Sequence, residues 1–579
     1  MSIFNEFPYT NMHELNLDWI LQEMKKLQKS VSTMAIESRT FDNVSDMASD
    51  DTLGAGSVVY VNGFYNSGDG GQGLYYISDT DEGLGIAISG GLYANPIIDW
   101  CYNLKQLGAK ADGFTNDLPV IQGLLTKINN GVIANKPVYA PSGRYCVNDC
   151  IVIPSNIWLF GDGESTYFYL NRSSNWSGQV IGVCGSNVIL ERINGGYLGG
   201  AEANIEWTQA QEGFIGIGPS SYDGWIDHQT ILEPHSNIIC RDIWSDCQYA
   251  LQTENTDAGT LINNVTYENV HAPNALVSVQ AKSPDTIKNV YMNNIECAVI
   301  RLGQGNRVEN LVLDNFRCEL LINRNQGSLI SNGYAKIIPG SKAYNSNIWV
   351  NYGNAPVATK TGCSLMNVIS DANNVLNDGL NVETTAELTS ENEPVCLTNV
   401  TTLNPLVYSI HGGGYVEAVN CSFDVNLPAR LNATKAKLTN CVMYRSLYAN
   451  TNNAVLDYLE YETGYADYSV NFPGYYERSG NWVKVCAMIS ASGFTAGDTI
   501  ATLPDELKPA QIEHGIGNIQ DVAQGGLTSV HNEAVVVSVD TDGNISVGAS
   551  GVLAQDLADA TILKFDFTYP VIPNYSTQQ

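Results

Sequence analysis

Basic residues are scarce in this chain of 579 residues. Lys and Arg number 29 against 60 Asp and Glu, which gives a net charge of −31. Because binding to nucleic-acid phosphates depends on Lys and Arg, this balance argues against a nucleic-acid partner. Charged residues make up only 15% of the chain, whereas there are 53 Gly and 31 Tyr residues. Such a composition is typical of a protein rich in turns and strands.

The sequence also lacks an apolar run of about 18 residues, which a membrane-spanning helix requires. It shows no signal-peptide pattern either, so we expect no membrane insertion. The 13 cysteines include no paired Cys-x-x-Cys set, which argues against a disulfide framework. We predict buried free thiols in a protein assembled in a reducing compartment. No carboxylate cluster with fixed spacing marks a metal site, and no cofactor is predicted.

A seven-residue phrase recurs between residues 236 and 320. Each copy begins with Asn, is mostly apolar at positions two, four and seven, and has Asp or Asn at position six; the copies are residues 237–243, 264–270, 289–295 and 310–316. Their first residues are 27, 25 and 21 positions apart. The alternation indicates short strands, and position six indicates a turn.

This period indicates a repeat architecture, because one such unit cannot bury its apolar positions but stacked units can. We predict a mainly β protein built on a right-handed parallel β-helix, with the Asn residues stacked in a column. The Asn that begins the phrase, followed by an apolar residue, recurs outside residues 236–320 and extends the repeat to about residues 145–450. These further positions are Asn156, Asn187, Asn347, Asn367, Asn399, Asn420 and Asn440. Cys421 and Cys441 then occupy position two, which points inward.

A helix is predicted near the N-terminus, within residues 1–35. Its apolar residues alternate by three and four: Leu17, Ile20, Met24, Leu27, Val31 and Met34. The pattern fits either a short coiled coil or a single amphipathic helix docked on a partner. The segment FPYTNMHELNLDWIL at residues 7–21 resembles the N-terminal segment of phage tail-appendage proteins. That resemblance implies attachment to the tail or collar of a virion.

Residues 36–103 are predicted to form a small β-rich module, with strands at residues 58–61, 73–77 and 86–88. The segments GFYNSGDGG at residues 63–71 and GLYAN at residues 91–95 resemble the neck module that precedes the β-helix in tailspikes. A phosphate-binding loop is not indicated, because no Lys follows these glycines and no strand–loop–helix pattern is present.

Residues 107–163 carry the most specific motif. The segments LGAKADGFTND, PVYAPSGRY and IPSNIWLFGDG, with a helix pattern between them, resemble the start of the pectate-lyase-like β-helix of tailspikes and polysaccharide-degrading enzymes. A helix here would cap the open end of the repeat domain, which we place at residues 104–455. We expect Asp112 and Asp117 to serve turns and capping rather than catalysis.

An insertion is predicted at about residues 195–235, where Gly and Pro219 break any regular element. It interleaves aromatic residues and carboxylates, among them Trp207, Phe214, Tyr222, Asp223, Trp225 and Asp227. Because aromatic faces stack on sugar rings and carboxylates accept sugar hydroxyls, Trp207, Tyr222 and Trp225 are candidates for substrate binding. Asp223 and Asp227 are candidate catalytic residues. The alternative is a self-packed flap or a contact with a neighbouring subunit.

The C-terminal part, residues 456–579, is predicted to be a β-sandwich after a linker at residues 454–468. Strands are indicated at 481–489, 534–539, 544–547 and 562–569, separated by turn signals such as Asp542-Gly543-Asn544. The segments YYERSGNWV at 475–483 and IATLP at 500–504 resemble the tip domain of phage tail fibres. That resemblance implies trimerisation or glycan binding.

Position five of the phrase gives an outward column that reads Arg241, Glu268, Asn293 and Asp314. Glu268 and Asp314 would lie two turns apart, or about 9–10 Å. Inverting glycosidases hold their two carboxyl groups roughly 6.5–9.5 Å apart. Glu268 and Asp314 are therefore candidate catalytic residues, with Arg241 orienting an anionic sugar. The alternative is a surface ion pair between Arg241 and Glu268.

Taken together, the chain resembles a phage tailspike or tail-appendage protein. The resemblance implies a homotrimer in the virion tail, made in the host cytoplasm, that meets a host-surface polysaccharide or teichoic acid. It is consistent with an adhesin that binds the glycan without cleaving it and with a depolymerase, either hydrolase or lyase. A secreted bacterial polysaccharide lyase or hydrolase is a further alternative, which residues 7–21 and the missing signal peptide argue against.

Overall fold

The computed structural model describes residues 39–171, 178–197, 212–218, 235–255, 261–281, 286–303, 308–325, 327–337, 346–350, 362–373, 375–376, 378–382, 394–405, 408–412, 415–424, 431–432, 435–444, 454–462, 474–479, 482–490, 499–502, 509, 511–520, 533–547 and 562–570. These residues fall into two compact units. The first contains residues up to Tyr145 together with Trp158–Gly161, and the second contains Cys146–Ile157 and the chain from Asp162 onward. The predicted N-terminal helix lies outside the described residues.

The first unit begins with a five-stranded sheet in the order β1-β2-β3-β5-β4 and a short helix. Its elements are β1 (Arg39–Phe41), α1 (Val44–Ser49), β2 (Val58–Val61), β3 (Gly73–Ser78), β4 (Ile86–Ile88) and β5 (Leu92–Pro96). Met47, Tyr75 and Ile77 lie fully buried between them. The three strands predicted for this module are thereby confirmed.

The remaining elements of the first unit include one amphipathic helix. They are β6 (Tyr102–Asn103), β7 (Asp112–Asn116), α2 (Leu118–Asn129), β8 (Val138–Ala140), β9 (Gly143–Val147) and β11 (Trp158–Gly161). The end of β9 belongs to the second unit, as does β10 (Ile151–Ile153). The predicted helix is confirmed as α2, whose buried residues are Ile121, Leu124, Leu125 and Ile128. Its role as a cap stays a prediction.

Asp112 and Asp117 have the turn role predicted for them, but the capping role is wrong for Asp117, which is at the N-cap of α2 and makes no side-chain capping hydrogen bond there. Asp112 Oδ1 accepts hydrogen bonds from the backbone N–H groups of Phe114 (2.9 Å) and Thr115 (2.7 Å). The buried carboxylate of Asp117 accepts the N–H groups of Lys110 (2.7 Å) and Ala111 (3.0 Å). Both side chains therefore fix the backbone that leads into α2.

The second unit is a parallel solenoid, as predicted. Its strands are β12 (Thr166–Leu170), β13 (Gly178–Val183), β14 (Val188–Tyr197), β15 (Glu212–Ile217), β16 (His235–Ser245), β17 (Tyr249–Asn255), β18 (Ile262–Ala281), β19 (Ile287–Leu302), β20 (Glu309–Cys318), β21 (Leu320–Asn323), β22 (Leu329–Lys336), β23 (Ile348–Val350), β24 (Ser364–Asp371), β25 (Asp378–Val382), β26 (Val395–Thr398), β27 (Thr401–Leu403), β28 (Tyr408–Gly412), β29 (Tyr415–Val419), β30 (Ser422–Asp424), β31 (Leu431–Asn432), β32 (Lys435–Tyr444) and β33 (Ala454–Glu462). β33 pairs antiparallel with β32. The predicted linker is therefore wrong for residues 454–462.

Each turn of the solenoid, here called a rung, presents three faces. The first face lies between two bends and includes residues 238–241, 265–268, 290–293 and 311–314. The second face follows the second bend and includes residues 243–245, 270–272, 295–297 and 316–318. The third face includes residues 251–255, 277–281, 299–302, 320–323, 348–350, 378–382 and 408–412. Positions two, four and seven of the phrase point inward, as in the buried residues Val265, Tyr267 and Val270.

Both bends are made by residues with positive φ, most of them asparagine. Asn is more readily accepted in this left-handed region than other residues with a Cβ. At the second bend Asn269 donates from Nδ2 to Asp242 (2.8 Å), and Asn294 donates to Asn269 (2.8 Å). A similar ladder joins the first bends of successive rungs, as between Asn237 and Asn187 (2.9 Å).

The single Asn column predicted from the sequence is therefore two columns. Asn156, Asn187, Asn237, Asn264, Asn289 and Asn310 occupy the first bend, but Asn367, Asn399 and Asn420 align with Asn332 at the second. Cys421 therefore follows the second bend and still points inward. Asn347 makes neither bend; it is buried and donates to the carbonyls of Ala335 (3.0 Å) and Asp371 (2.6 Å). Both bends begin with the same Asn–apolar pair, which is why the sequence did not separate them.

The predicted insertion at residues 195–235 is interrupted by a strand of the solenoid. β15 pairs in parallel with β13 and β17, and its Phe214 is fully buried. The two Gly residues in this strand made it look like a loop in the sequence. Trp207, Tyr222, Asp223, Trp225 and Asp227 lie outside the described residues.

The C-terminal strands form one antiparallel sheet in the order β34-β35-β40-β37-β38-β39-β36. They are β34 (Gly474–Ser479), β35 (Trp482–Ser490), β36 (Thr499–Thr502), β37 (Glu513–Gln520), β38 (Glu533–Val539), β39 (Asn544–Val547) and β40 (Ile562–Pro570). The four predicted strands are confirmed, whereas the second sheet of a sandwich stays a prediction. Across the described residues, no helix is long and apolar enough to span a membrane.

Replacing Asn294 by alanine is expected to lower the free energy of unfolding by about 3 kcal/mol. Left-handed backbone costs a residue with a Cβ roughly 1–2 kcal/mol, and each lost ladder hydrogen bond costs about 1 kcal/mol. Asn294→Gly keeps the φ of 55° accessible and should cost less. Urea unfolding of both variants checks this; equal losses for Ala and Gly would contradict the backbone contribution.

Candidate functional site

The predicted column on the first face exists. Arg241 is in register with Glu268, Glu268 with Asn293, and Asn293 with Asp314. Glu268 and Asp314 are thus two rungs apart, or about 9–10 Å at the usual strand spacing. Both side chains are half-buried. The two-rung register predicted from the sequence is confirmed, but the catalytic role of the two residues stays a prediction.

The partners within this column are structural. Arg241 Nε donates to the buried Glu191 on the preceding rung, so the ion pair that the structure shows for Arg241 is with Glu191. Asp314 Oδ1 accepts hydrogen bonds from Ser331 Oγ (2.7 Å) and from Asn332 Nδ2 (2.7 Å) on the next rung. A carboxylate that holds two rungs together in this way is poorly placed to donate a proton to a leaving group.

A second set of polar residues faces outward from the third face, and the sequence reasoning missed it. The inward side is identified by Thr253, whose hydroxyl is hydrogen-bonded to that of the fully buried Tyr267. Because successive side chains alternate across a strand, Gln252 and Glu254 point the other way. Residues in register with Gln252 on successive rungs form the third-face row: Gln252, Ser278, Arg301, Ile322, Trp349, Asn381 and His411.

The N-terminal half of the third-face row is both polar and buried. Gln252 is 1% exposed, Glu254 is 0% exposed and Arg301 is 2% exposed. Gln179 Nε2 donates to Gln252 Oε1 (3.2 Å), and Gln252 Nε2 donates to Glu254 Oε2 (2.6 Å). On the next rung Gln280 Nε2 donates to Ser278 Oγ (2.6 Å). These side chains form a hydrogen-bonded layer on the outer side of the sheet.

In the C-terminal half of the row Trp349 and His411 are accessible, whereas Asn381 between them is 2% exposed. The side chain of His411 is 31% exposed, and its Nδ1 lies 3.0 Å from Oδ2 of the buried Asp378. Trp349 is half-buried two rungs before His411. This end of the row combines an aromatic face, an amide and a carboxylate–imidazole pair.

A signal for this row was present in the sequence. The third strand of each repeat alternates an inward apolar residue with an outward polar one, as in Val277-Ser278-Val279-Gln280 and Ile300-Arg301-Leu302. The Asn phrase drew attention to the first face instead. The outward side of the third face could not be recognised as buried, because burial there depends on contacts distant in sequence.

Thiol and metal chemistry are not favoured in the described part of the molecule. Burial raises the pKa of the Cys240 and Cys184 thiols far above the ordinary value, so the nucleophilic thiolate is suppressed. Cys240, Cys297, Cys318 and Cys421 are buried free thiols, as predicted. No group of three His, Cys, Asp or Glu residues that could hold a metal ion occurs among the described residues.

One family model matches part of the chain that includes the start of the β-helix. Residues 101–308 match the sequence profile of the rhamnogalacturonase A/epimerase, pectate lyase-like family. No match was found among curated protein sequences. Together with the parallel rungs, the family match confirms the predicted pectate-lyase-like β-helix.

Several solved structures are similar to the chain. Full-length tailspike protein 2 of the Escherichia coli O157:H7 bacteriophage CAB120 matches with a TM-score of 0.42 and 13% identity, over 96% of this chain and 75% of that chain. Tailspike protein gp49 of the Acinetobacter baumannii bacteriophage Fri1, a capsular polysaccharide depolymerase, matches with a TM-score of 0.41 and 13% identity, over 93% and 99%. ORF18 of Geobacillus virus E2 matches with a TM-score of 0.34 and 13% identity, over 94% and 93%.

Proposed function

We propose that this chain is a phage tail appendage of the tailspike type that binds a host-surface polysaccharide or teichoic acid at the accessible residues of the third-face row, Trp349 and His411. The observation that carries the proposal is the pair of accessible side chains two rungs apart on the outward side of the sheet, the indole of Trp349 and the imidazole of His411. A linear polymer of sugar rings is a ligand that contacts spaced in this way fit.

The chemistry of the row supports a glycan. Trp349 supplies an aromatic face for a sugar ring. The imidazole of His411, whose side chain is 31% exposed, can form hydrogen bonds with sugar hydroxyls.

The biological setting rests on the sequence resemblances at residues 7–21, 63–71 and 107–163 and on the family match. From them we infer a homotrimer whose residues 1–35 attach it to tail or collar proteins of the virion. Synthesis in the host cytoplasm fits the buried free thiols. Cleavage of a glycan at the first face is a second candidate function. The two-rung spacing of Glu268 and Asp314 supports it, with Glu268 as the acid and Asp314 as the base, because Asp314 accepts hydrogen bonds from Ser331 and Asn332.

The experiment is retention of the purified protein on immobilised host-wall polysaccharide and, separately, on teichoic acid. Trp349→Leu removes the aromatic face, and we expect it to weaken binding about tenfold or more, which corresponds to about 1.4 kcal/mol. Tyr291→Leu, at an exposed aromatic residue on the first face, is the matched control. Equal binding by wild type and Trp349→Leu, with both folded by circular dichroism, would refute the third-face row as the site.

Chain-length analysis of the bound glycan tests cleavage. Shortened chains would establish a depolymerase, and Glu268→Gln with Asp314→Asn should then abolish shortening if the first-face column acts. Glycan retained intact would establish the adhesin.

A further inference from the structure

A second line of outward side chains runs along the first face, beside the column of Arg241, Glu268 and Asp314. It is formed by position three of the phrase and by the residues in register with that position on later rungs. This line, here called the Tyr291 row, consists of Ile189, Ile239, Thr266, Tyr291, Val312, Leu329, Ser364 and Cys396. Seven rung steps separate its ends, or about 34 Å at the usual strand spacing.

The Tyr291 row is accessible, mostly apolar and free of charged residues. Tyr291 is 42% exposed and Leu329 is 39% exposed, and the other six side chains are half-buried. Polar groups border the row on both sides, with the charged column on one side and the Asn ladder of the first bend on the other. An accessible apolar line with a polar rim is typical of a surface that another macromolecule covers.

The spacing of the row indicates which partner fits it. Its side chains repeat at the rung spacing, so a partner that packs against all of them needs side chains with the same repeat. A second copy of this chain has that repeat, because both solenoids are built from the same rungs.

The absence of charge from the row also favours a second copy. Copies related by a rotation axis parallel to the solenoid have equivalent rungs at the same height, so each residue of the row meets the same residue of its neighbour. A charged residue in such a row would face its own charge, which is unfavourable. A row made of Ile, Thr, Tyr, Val, Leu, Ser and Cys avoids this repulsion on all eight rungs.

We propose that the Tyr291 row is the surface through which copies of this chain associate, with their solenoid axes parallel. Tyr291 and Leu329 then pack against their counterparts on neighbouring copies, as apolar residues do at the centre of an interface. Arg241, Glu268 and Asp314 lie at the rim of that interface. The inference rests on the homotrimer proposed above and names the surface that forms it.

Cross-linking of the full chain tests this surface. Thr266→Cys places a thiol in the row, in register with Tyr291 on the next rung. A bismaleimide with a short spacer should then join two chains, which appear as a dimer on a denaturing gel. Wild type gives the background from the native cysteines. His271→Cys, at an exposed position on the second face, is the matched control and should give no more dimer than wild type.

A charge introduced into the row tests the cause. Tyr291→Asp in the Thr266→Cys background should lower the cross-linked fraction about tenfold, because it brings carboxylates of neighbouring copies together. Tyr291→Leu in the same background keeps the row apolar and should retain the cross-link. Ile369→Asp, which replaces a comparably exposed apolar residue on the second face, should also retain it.

Light scattering of the untreated protein separates the outcomes. A multimer whose Thr266→Cys cross-link is lost only with Tyr291→Asp supports the proposal. A multimer that gives no more dimer with Thr266→Cys than with His271→Cys would overturn the Tyr291 row as the interface and leave the homotrimer intact. A monomeric wild type would overturn both. Retention of glycan is measured separately and decides the glycan-binding proposal whichever result is obtained.

Discussion

Alanine in place of Gly333 is expected to destabilise the solenoid by about 1–3 kcal/mol, the usual cost of overpacking a core. A Cβ on Gly333 would lie 1.9 Å from Cε1 of Phe316, its register partner on the preceding rung. Phe316 is 4% exposed and has little room to move aside. Urea unfolding should show the loss as a lower midpoint.

A double substitution controls for the proposed cause. Phe316→Leu removes the ring atoms that a Cβ at Gly333 would meet, so Gly333→Ala should cost much less in that background. The coupling energy between the two substitutions should exceed about 0.5 kcal/mol, as expected for residues in contact. Additive losses would show that the ring is not the obstacle.

Removal of the Asp69 carboxylate is expected to lower the stability of the first unit by about 3 kcal/mol, because hydrogen bonds to a charged group are among the stronger ones. Oδ1 accepts the backbone N–H groups of Phe64 (3.1 Å) and Gly71 (2.7 Å). Oδ2 accepts those of Tyr65 (2.8 Å) and Asn66 (3.0 Å). Asp69→Ala leaves four donors without this acceptor, whereas Asp79→Asn, at an exposed position nearby, should change stability by less than about 0.5 kcal/mol.

The same contacts make the stability of the first unit depend on pH. Burial alone would raise the pKa of Asp69, but the four backbone N–H groups outweigh it and lower the pKa below the ordinary value. The carboxylate therefore stabilises the folded state above its unfolded pKa of about 3.9, and this contribution is lost as the pH falls through the folded pKa.

Hydrogen exchange of residues 63–71, followed by mass spectrometry, measures both effects. At pH 7 Asp69→Ala should exchange faster than wild type in this segment. Protection of the wild type should fall toward that of the variant as the pH drops below about 4. Equal protection of the two proteins at pH 7 would refute the role of the carboxylate.

The sequence by itself determined the repeat and which side chains of each rung point into the core. Asn at a bend followed by alternating apolar residues is a local pattern, since the left-handed bend and the inward side chain are both set within a few residues. For that reason the strands around Val265 and Val290, the helix α2 and the turns at Asp112 and Asp117 were predicted correctly. The register of Glu268 and Asp314 followed from the same phrase.

Only the tertiary structure decided which rung contacts which and what covers each face. Two bends with the same Asn–apolar signature were distinguished by the pairing of Asn332 with Asn367, residues that are distant in sequence. β15 became a strand because its neighbours β13 and β17 supply the hydrogen bonds that its glycine-rich sequence does not predict. The contact between Asp378 and His411, and the burial of Gln252, Glu254 and Arg301, likewise depend on packing between rungs, which a local pattern does not encode.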